Sequence, residues 1–481
     1  MSKTFRPNNI NILTSKNRDK FVDSDPLCYI DSNSNGTEPF SNKKEVEKMK
    51  KKLLALFMAT VLSVSVLAGC SKSNDGVKEI TFMVWDDLEA SQDLITKGYK
   101  DSIDRFNKDY AGQYHCTPIT TNLEEYYNKL NTMVAGGETP DVFIVSPGAN
   151  MNDYVIPGVA AKLDDYLNKD GWKQTFTSDA VFAGGTYGAE TKDGAGIYAI
   201  PLNIAAACVF YNTEMFADAG AEVPETFDDL LAACEKLQAK GYTPITISAG
   251  TAWCLSMVAG YLCDRNGLDL NDIKEHNTDW MDPKVINSGK QIQELSKYFQ
   301  PTAAGDDNDI ATAAFYNGNA AILIQGSWAI GQINGSCEPG FEQKVGVFAF
   351  PAVSGSSADP NRVIAKSDSL CMSSTTKNPD AAVALMKYFV DDTAQKYTAE
   401  KGGKIPVTNV EYDTTVAPPE LAYVMDVFKS ANSTFGFYNE SLYDTEAGST
   451  FDNCFVEIYN GTDPAEALKP IQQYYEENVW E

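Results

Sequence analysis

The chain has 481 residues, of which 43% are hydrophobic, 11% aromatic and 22% charged. This composition is that of a globular protein with two or three domains, and it excludes a disordered or collagen-like polymer. The 39 basic and 66 acidic side chains give a formal net charge of −27, so we expect no nucleic acid as a partner. The two histidines, His115 and His276, lie far apart without metal-ligand spacing. We therefore expect no metal site, no cofactor and no His-based catalytic residues.

An apolar segment near the start of the chain has the features of a secretory signal peptide. Met49 and three lysines precede an uncharged run over residues 53–69, which ends in small residues before Cys70. We predict a signal peptide over residues 49–69 and a flexible tether over 70–76. A permanent signal anchor is the alternative, because the run is at the lower limit for crossing a bilayer core of about 30 Å.

Residues 1–48 precede this signal peptide, although a signal peptide normally begins a secreted chain. They are polar and aperiodic, and back-translation of residues 44–49 allows a ribosome-binding sequence upstream of the Met49 codon. We expect translation to start at Met49 and residues 1–48 to be a non-native extension. A genuine N-terminal extension is the alternative.

Strand and helix patterns alternate in the first part of the remaining chain. Residues 79–85 predict a first strand, followed by a helical pattern that contains Leu94, Ile103 and Phe106. Residues 118–121 could form a second strand, residues 124–134 predict an amphipathic helix, and residues 142–145 form an apolar run typical of a buried parallel strand. This alternation indicates βαβ units.

The same alternation continues downstream. Residues 197–210 carry two strand-like runs. Thr226 as N-cap and Asp229 at N3 predict a helix that ends at Gly241, before a strand over residues 243–248. Asn378 as N-cap predicts the start of a late helix that extends to about residue 401. No long linker divides the chain, so the pattern favours an α/β fold of two lobes with several crossings between them.

Several short stretches occur in an order and spacing that is specific as a set. They are YNKL at 127–130, GGETPDV at 136–142, GIYAIP at 196–201, FYNTEMF at 210–216, PETF at 224–227, FYNGNAA at 315–321, GSW at 326–328 and VGVF at 345–348. Together they resemble the family 1 extracellular solute-binding proteins of bacterial ABC sugar importers, the group that includes maltose-binding proteins. The resemblance covers nearly all of residues 77–481.

The resemblance implies a non-enzymatic, monomeric receptor that captures a carbohydrate between two lobes and delivers it to permease subunits. It implies the periplasmic-binding-protein-like fold, with residues 77–203 and 363–420 in lobe 1 and residues 204–362 and 421–481 in lobe 2. Residues 67–70, LAGC, resemble a lipoprotein lipobox. We therefore expect Cys70 to carry the lipid that anchors the protein to the outer face of the cell membrane.

Candidate binding residues follow the predicted strands, because ligands of open α/β sheets bind beyond the carboxyl ends of the strands. This rule selects Asp86, Asp87 and Glu89 after the first strand, and Ser146, Gly148 and Asn150 after residues 142–145. Asn203 is a further candidate, since relatives often present a polar side chain at the nearby position that Ala205 occupies.

Aromatic side chains matter because the apolar face of a sugar ring stacks on an aromatic plane. The resemblance aligns Trp328, in the turn with Ser327, with the stacking tryptophan of the family. Trp85 and Trp253 are further candidates, as are Phe437, Tyr438 and Glu440 in an aromatic stretch near the C-terminus. A structural role in the core is the alternative for each aromatic residue.

Two other functions compete with sugar binding. Acidic and aromatic residues could enclose a polyamine or another cation. A surface-anchored carbohydrate hydrolase would need two carboxylates on either side of the scissile bond, and the adjacent Asp86 and Asp87 are a poor pair because successive strand-end side chains diverge. Eight cysteines follow Cys70, and the sequence leaves their disulfide state open.

Overall fold

The computed structural model describes residues 76–480. The predicted N-terminal extension, the signal peptide and Cys70 lie outside the described residues. Within the described range, no helix combines the length and apolar character needed to cross a membrane.

Thirteen strands form within residues 76–480. They are β1 (Lys78–Trp85), β2 (Tyr114–Thr121), β3 (Val142–Val145), β4 (Thr186–Tyr187), β5 (Gly196–Ile197), β6 (Ala199–Pro201), β7 (Ala205–Asn212), β8 (Thr243–Thr246), β9 (Ala320–Gly326), β10 (Val345–Phe348), β11 (Arg362–Lys366), β12 (Ser369–Met372) and β13 (Ser433–Phe435).

The helices surround these strands. They are α1 (Leu94–Asp109), α2 (Leu123–Ala135), α3 (Ala149–Val155), α4 (Asp164–Leu167), α5 (Thr213–Ala219), α6 (Phe227–Ala239), α7 (Ala252–Arg265), α8 (Leu270–Lys274), α9 (Pro283–Leu295), α10 (Asn308–Tyr316), α11 (Ala329–Ser336), α12 (Pro379–Val390), α13 (Asp392–Glu400), α14 (Pro419–Ser430), α15 (Tyr438–Ser441), α16 (Thr445–Tyr459), α17 (Pro464–Ala467) and α18 (Lys469–Asn478). Short 3₁₀ helices occupy Lys169–Thr175, Asp179–Gly185, Ser296–Tyr298 and Glu342–Lys344.

The first sheet has five strands in the order β2-β1-β3-β12-β6. Strand β1 pairs in parallel with β2 and β3, whereas β12 is antiparallel to β3 and β6. All four residues of β3 are buried, as expected for a strand that is covered on both faces. Helices α1 and α12 contact each other and supply apolar residues to the core of this sheet.

The second sheet has the order β13-β11-β7-β9-β8, and β10 also pairs with β7. Its central strand β7 is antiparallel to β9, β10 and β11, and the largest hydrophobic core packs around it. The molecule therefore has two α/β halves, each built on its own sheet. The parallel pairing of β1 with β2 and β3 agrees with the predicted βαβ units, whereas most other strand pairs are antiparallel.

The chain passes between the two sheets through short segments. Residues 202–204 join β6 to β7, and Ser367 and Asp368 join β11 to β12. The backbones of Ile204 and Ile405 pair antiparallel, which links the first crossing to the segment that follows α13. The lobe limits stay a prediction, and the pairing of β11 with β7 favours a boundary after Lys366 rather than before Val363.

The sequence patterns agree closely with several elements. The strand predicted over 142–145 is β3, and the helix predicted over 124–134 is α2. The Thr226 hydroxyl accepts from the Asp229 backbone while the Asp229 carboxylate accepts from the Thr226 backbone, which completes the predicted capping box. The α/β fold of two halves is confirmed.

The late helix differs from its prediction. It is two helices, because α12 ends at Val390 and the Asp391 carboxylate caps the next helix by accepting from the Ala394 backbone N–H. Asn378 precedes α12, but its side chain makes no capping hydrogen bond. A local capping residue inside an apolar helical pattern therefore breaks what periodicity alone presents as continuous.

The eight cysteines after Cys70 are all free thiols, and seven of them are buried. Burial raises the pKa of the Cys116 and Cys371 thiols to about 12, so these groups remain protonated and unreactive. They pack as small hydrophobic residues. The fold needs no disulfide among the described residues.

Candidate functional site

A cleft of about 540 Å³ lies where strands of both sheets end. Trp85 ends β1, Ser146 follows β3, Trp328 follows β9 and Lys366 ends β11, and all four line the cleft. The strand-end rule for open α/β sheets therefore applies to both halves of the molecule. Side chains from both halves can contact one ligand.

Three aromatic rings form one wall of the cleft. Trp253, Trp328 and Phe437 have ring centroids 5.8 to 6.1 Å apart, in edge-to-face or tilted arrangements. Phe437 is buried, whereas both tryptophans are half-buried and offer part of their surface to the cleft. We call Trp253, Trp328 and Phe437 the aromatic wall.

The Trp328 ring is held in a fixed position. Its indole N–H donates to the Gln325 side-chain oxygen at 2.8 Å, and Gln325 in turn donates to Asn308. A Cβ at Gly326 would lie 2.1 Å from the Trp328 ring, so only glycine leaves room for the ring there. The sequence Gly326-Ser327-Trp328 thus shapes the aromatic wall by close contact between a ring and a backbone.

Carboxylates line the opposite side, at the end of β1. The Thr96 hydroxyl donates to Asp86 Oδ2 at 2.7 Å, and Asp93 caps α1 by accepting from the Ile95 backbone N–H at 3.1 Å. Burial raises the pKa of Asp86 to about 7 and also raises the pKa of Asp93. Asp86 has a φ of 104°, a strained conformation for a residue other than glycine.

A second polar cluster joins the two halves. The Lys366 ammonium lies 3.2 Å from Glu440 Oε1, 3.4 Å from Asp368 Oδ1 and 3.2 Å from the Ser146 hydroxyl. It also lies 5.1 Å from the ring centroid of Phe437. Burial opposes the charge of Lys366, but the carboxylates of Asp368 and Glu440 outweigh it and raise the pKa of the lysine.

Asp452 in α16 supplies a further carboxylate. It accepts from the Ser256 hydroxyl and, at 3.1 Å, from the Asn439 amide. Burial raises the pKa of Asp452 to about 7. Both Asp452 and Asn439 line the cleft. Within residues 76–480, no group of three metal-ligating side chains is placed to hold a metal ion.

Eight of the fourteen predicted site residues line this cleft. They are Trp85, Asp86, Ser146, Asn150, Trp253, Trp328, Phe437 and Glu440. They come from distant parts of the chain and meet because the strands that precede several of them end on the same side of their sheets. Their roles in ligand binding stay predictions.

The other six predicted residues do not line the cleft: Asp87 and Glu89 are exposed, Gly148 makes a close backbone contact, and three are buried. Asp87 accepts from the backbone N–H groups of Glu89 and Ala90, and the exposed Glu89 carboxylate lies 3.4 Å from the Lys100 ammonium. The backbone at Gly148 approaches the Glu440 carbonyl so closely that a Cβ would lie 2.0 Å from it.

The remaining three are buried. Asn203 is 2% exposed in the first crossing, and its side-chain oxygen has no hydrogen-bond partner. The Ser327 hydroxyl accepts from the Ala206 backbone N–H at 3.2 Å, and the Tyr438 hydroxyl donates to the Leu268 carbonyl at 3.2 Å. Ser327 and Tyr438 therefore face the interior and not the cleft.

Sequence reasoning missed several polar residues of the cleft, including Asp93, Asn308, Lys366, Asp368, Lys404 and Asp452. Lys366 could have been found by applying the strand-end rule to residues 362–366. Lys404 lies just beyond the predicted end of the late helix near residue 401, but no local motif marks it. The others reach the cleft only through tertiary packing.

The chain matches the family described as bacterial extracellular solute-binding protein over residues 92–396, and it belongs to that family. It is therefore a binding protein of the extracellular or periplasmic space and not an enzyme. The "Multiple sugar-binding protein" of Streptococcus mutans is 27% identical over 61% of this chain and 69% of its own length.

Solved structures share the same two-lobed fold. A protein from a study of xylan utilization by Caldanaerobius polysaccharolyticus superimposes with a TM-score of 0.75 and 23% identity, over 82% of this chain and 99% of the other. A "Chitin oligosaccharide binding protein" also gives a TM-score of 0.75 at 23% identity, over 83% and 98% of the two chains. At this identity the likeness establishes the fold alone.

Proposed function

We propose that this protein is a lipid-anchored, monomeric receptor that binds an oligosaccharide in the cleft and delivers it to the permease of an ABC importer. The observation that carries the proposal is that the cleft surface combines an aromatic side with polar groups around it. Three aromatic rings line one side, and carboxylate, amide, hydroxyl and ammonium groups surround them. A carbohydrate has the same division, with apolar C–H faces and hydroxyl groups at its rim.

The names of relatives support this class of ligand. The Streptococcus mutans relative is named for binding multiple sugars, and the two structural neighbours are named for xylan utilization and chitin oligosaccharides. The cleft volume of about 540 Å³ lies within the range of small-molecule sites. We infer that the ligand has more than one sugar unit.

We further propose that ligand binding stabilises a closed arrangement of the two lobes. Trp85 and Asp86 belong to the half built on the first sheet, whereas Trp253 and Trp328 belong to the other half. A ligand that contacts both sets gains its full binding free energy only when the halves are close together. Its binding therefore shifts the population toward closure.

Thermal unfolding of the full chain in mild detergent tests the proposal, with tryptophan fluorescence as the signal. The panel contains maltotriose, xylotriose, triacetylchitotriose and raffinose, each added over a concentration series. A sugar at 100 times its dissociation constant should stabilise the folded protein by about 2.7 kcal/mol. If every sugar leaves the unfolding temperature unchanged, the carbohydrate assignment is wrong.

The lipid anchor is tested separately in cells, by the variant Cys70→Ser. Diacylglycerol on the Cys70 thiol would hold the mature protein at the membrane, since each buried methylene contributes about 0.8 kcal/mol. We expect the variant either to be released or to remain as a larger, unprocessed precursor. A variant that fractionates and migrates like the wild type would contradict the anchor.

A receptor for a polyamine is the second candidate. Six acidic side chains line the cleft, namely Asp86, Asp93, Asp309, Asp368, Glu440 and Asp452, against the two lysines Lys366 and Lys404. This excess of carboxylates favours a cation over an anion. Spermidine in the same unfolding assay distinguishes the two candidates, and stabilisation by spermidine alone would replace the sugar assignment.

A further inference from the structure

Two buried lysines line the cleft, and they differ in how their charges are compensated. Lys366 has two carboxylates and one hydroxyl within 3.4 Å of its ammonium group. Lys404 is only 5% exposed, yet in the described part of the chain its ammonium group makes no ion pair and no hydrogen bond. The side chain is therefore largely buried while its ammonium group belongs to the cleft lining, where a charge without a protein partner is available to a ligand.

The Lys404 backbone is held firmly in place. Its N–H donates to the Thr398 carbonyl at 3.2 Å, and the next residue, Ile405, pairs with Ile204 in the crossing between the sheets. The preceding Gly403 has a φ of 64°, and a Cβ there would lie 2.2 Å from Ile330. The backbone of Lys404 therefore holds the base of its side chain in a fixed position beside α11.

Three carboxylates act on Lys404 from beyond ion-pair distance, namely those of Asp368, Asp93 and Asp86. Burial lowers the pKa of Lys404, the Lys366 ammonium lowers it further, and the three carboxylates oppose these effects only in part. The charge is thus compensated only in part and at a distance, and no protein group in the described part of the chain accepts a hydrogen bond from the ammonium. A ligand that brings an acceptor oxygen would satisfy them.

Asp86 offers the complementary group. Its Oδ2 accepts from Thr96, whereas Oδ1 has no hydrogen-bond partner among residues 76–480. Asp93 is the capping residue of α1: its Oδ1 accepts from the Ile95 backbone N–H, and its Oδ2 lies 3.4 Å from the Thr96 hydroxyl, whose one proton is donated to Asp86. The end of the cleft near β1 therefore presents the Lys404 ammonium as a donor, and Asp86 Oδ1 and Asp93 Oδ2 as acceptors.

We propose that Lys404 is a specificity-determining residue that recognises a hydroxyl group of a neutral sugar, together with Asp86. The lysine donates to one hydroxyl oxygen, and a second hydroxyl of the same sugar unit donates to Asp86 Oδ1. This inference rests on the proposed function and names the charge class of its ligand. It also gives the two lysines different roles, since Lys366 stabilises the fold and Lys404 contacts the ligand.

We infer a neutral ligand because the three carboxylates of Asp86, Asp93 and Asp368 already act on Lys404. A uronic acid would bring a further negative charge to a site with Asp86, Asp93 and Asp368 around it, in a chain with a formal net charge of −27. A hydroxyl group accepts from the lysine without this repulsion. Trigalacturonic acid therefore serves as the anionic test compound.

The test compares Lys404→Met with Lys366→Met and with Lys290→Met, which removes an exposed lysine from α9. Methionine keeps an unbranched side chain and removes the charge and the donors. Without sugar, the Lys404 variant should unfold within about 2 °C of the wild type or above it, because no hydrogen bond is lost. The Lys366 variant should unfold at a clearly lower temperature, since it leaves Asp368 and Glu440 without their cation.

The sugars of the panel are then titrated against each variant. Whichever of maltotriose, xylotriose, triacetylchitotriose and raffinose stabilises the wild type should bind the Lys404 variant about tenfold or more weakly, and the Lys290 variant as well as the wild type. Trigalacturonic acid should not stabilise the wild type.

Each contrary result has a distinct meaning. Unchanged sugar affinity in the Lys404 variant overturns the inference while the proposed function stands. A loss of stability equal to that of the Lys366 variant also overturns it, because Lys404 would then be structural. Stabilisation by trigalacturonic acid that requires Lys404 shows that the ligand is anionic. If no neutral sugar stabilises the wild type, the proposed function fails and the inference fails with it.

Discussion

The two sides of the cleft present different kinds of side chain to a ligand. On the side of the first sheet, the half-buried ring of Trp85 packs edge-on against Tyr126 at 5.1 Å, beside the strained Asp86 and the capping residue Asp93. On the side of the second sheet, Trp253, Trp328 and Phe437 contact one another as a continuous aromatic wall. We infer that the second side supplies most of the contact area and the first side selects the orientation of the ligand.

The largest expected effect is that of Trp328→Ala. Loss of a stacking ring from the aromatic wall should weaken the binding of the stabilising trisaccharide by at least thirtyfold, or upward of about 2 kcal/mol. The ring is half-buried, so the free energy of unfolding should fall by less than the ~3–5 kcal/mol typical of a fully buried tryptophan. Calorimetric titration and denaturant unfolding measure the two effects.

Trp172→Ala is the matched control for that variant. Trp172 is 6% exposed in the core of the first sheet and does not line the cleft. Its truncation should lower stability and leave the affinity of the folded fraction unchanged. If Trp328→Ala gives this same pattern, Trp328 is a core residue and the aromatic wall is not the binding surface.

Gly326→Ala tests the position of the ring without removing it. The new methyl group would lie 2.1 Å from the Trp328 ring, so the ring must turn away from its place in the wall. We expect roughly a tenfold loss of sugar affinity and a loss of stability of about 1–3 kcal/mol. A variant with wild-type affinity and stability would show that the ring position is not fixed by this contact.

Asp86→Gly tests the opposite side. Glycine adopts a φ of 104° without strain, and the substitution also removes a buried carboxylate, so the free energy of unfolding should rise by about 1 kcal/mol. Sugar affinity should fall, because Asp86 Oδ1 is the proposed acceptor. Asp87→Gly, at the exposed neighbouring position, should not change affinity. A simultaneous gain of stability and affinity in Asp86→Gly would contradict the role of Asp86.

Asp452 should give the cleft a pH-dependent stability. Its pKa in the folded state, about 7, is higher than the ordinary value of 3.8, so the folded protein binds a proton that the unfolded chain releases between these values. Its contribution is present at low pH and is lost as the pH rises through 7. In denaturant unfolding, the stability difference between the wild type and Asp452→Asn should change between pH 4 and 7. A difference independent of pH would contradict this assignment.

The smallest expected effect is that of Glu89→Gln. Glu89 is exposed and pairs with Lys100 outside the cleft, and an exposed ion pair contributes about 0–1 kcal/mol. Affinity should stay within about twofold of the wild type in the same titration. A larger loss would place this loop in contact with the ligand.

The fold could be predicted because its strands and helices carry local signals. The apolar run of β3 and the capping box at Thr226 depend on neighbouring residues alone. The break between α12 and α13 was missed because Asp391 is a capping residue within a sequence that is otherwise helical. Periodicity describes the face of a helix and gives little information on where one helix ends and the next begins.

The site could be predicted only where a motif or the strand-end rule marks it. The family resemblance marks Trp328, and the strands that precede Asp86 and Ser146 mark these two residues. Ser327 does not line the cleft, because its hydroxyl accepts from the Ala206 backbone inside the fold. Lys404 and Asp452 have no such mark, since their place in the cleft depends on contacts between residues that are distant in sequence.

A crystal structure with the trisaccharide that most raises the unfolding temperature tests the central claim most directly. The account predicts one sugar ring against Trp328 and Trp253, and a neighbouring pair of hydroxyl groups within hydrogen-bond distance of Lys404 and Asp86. A sugar bound outside the cleft, or one inside it that leaves the aromatic wall uncovered, would contradict the account.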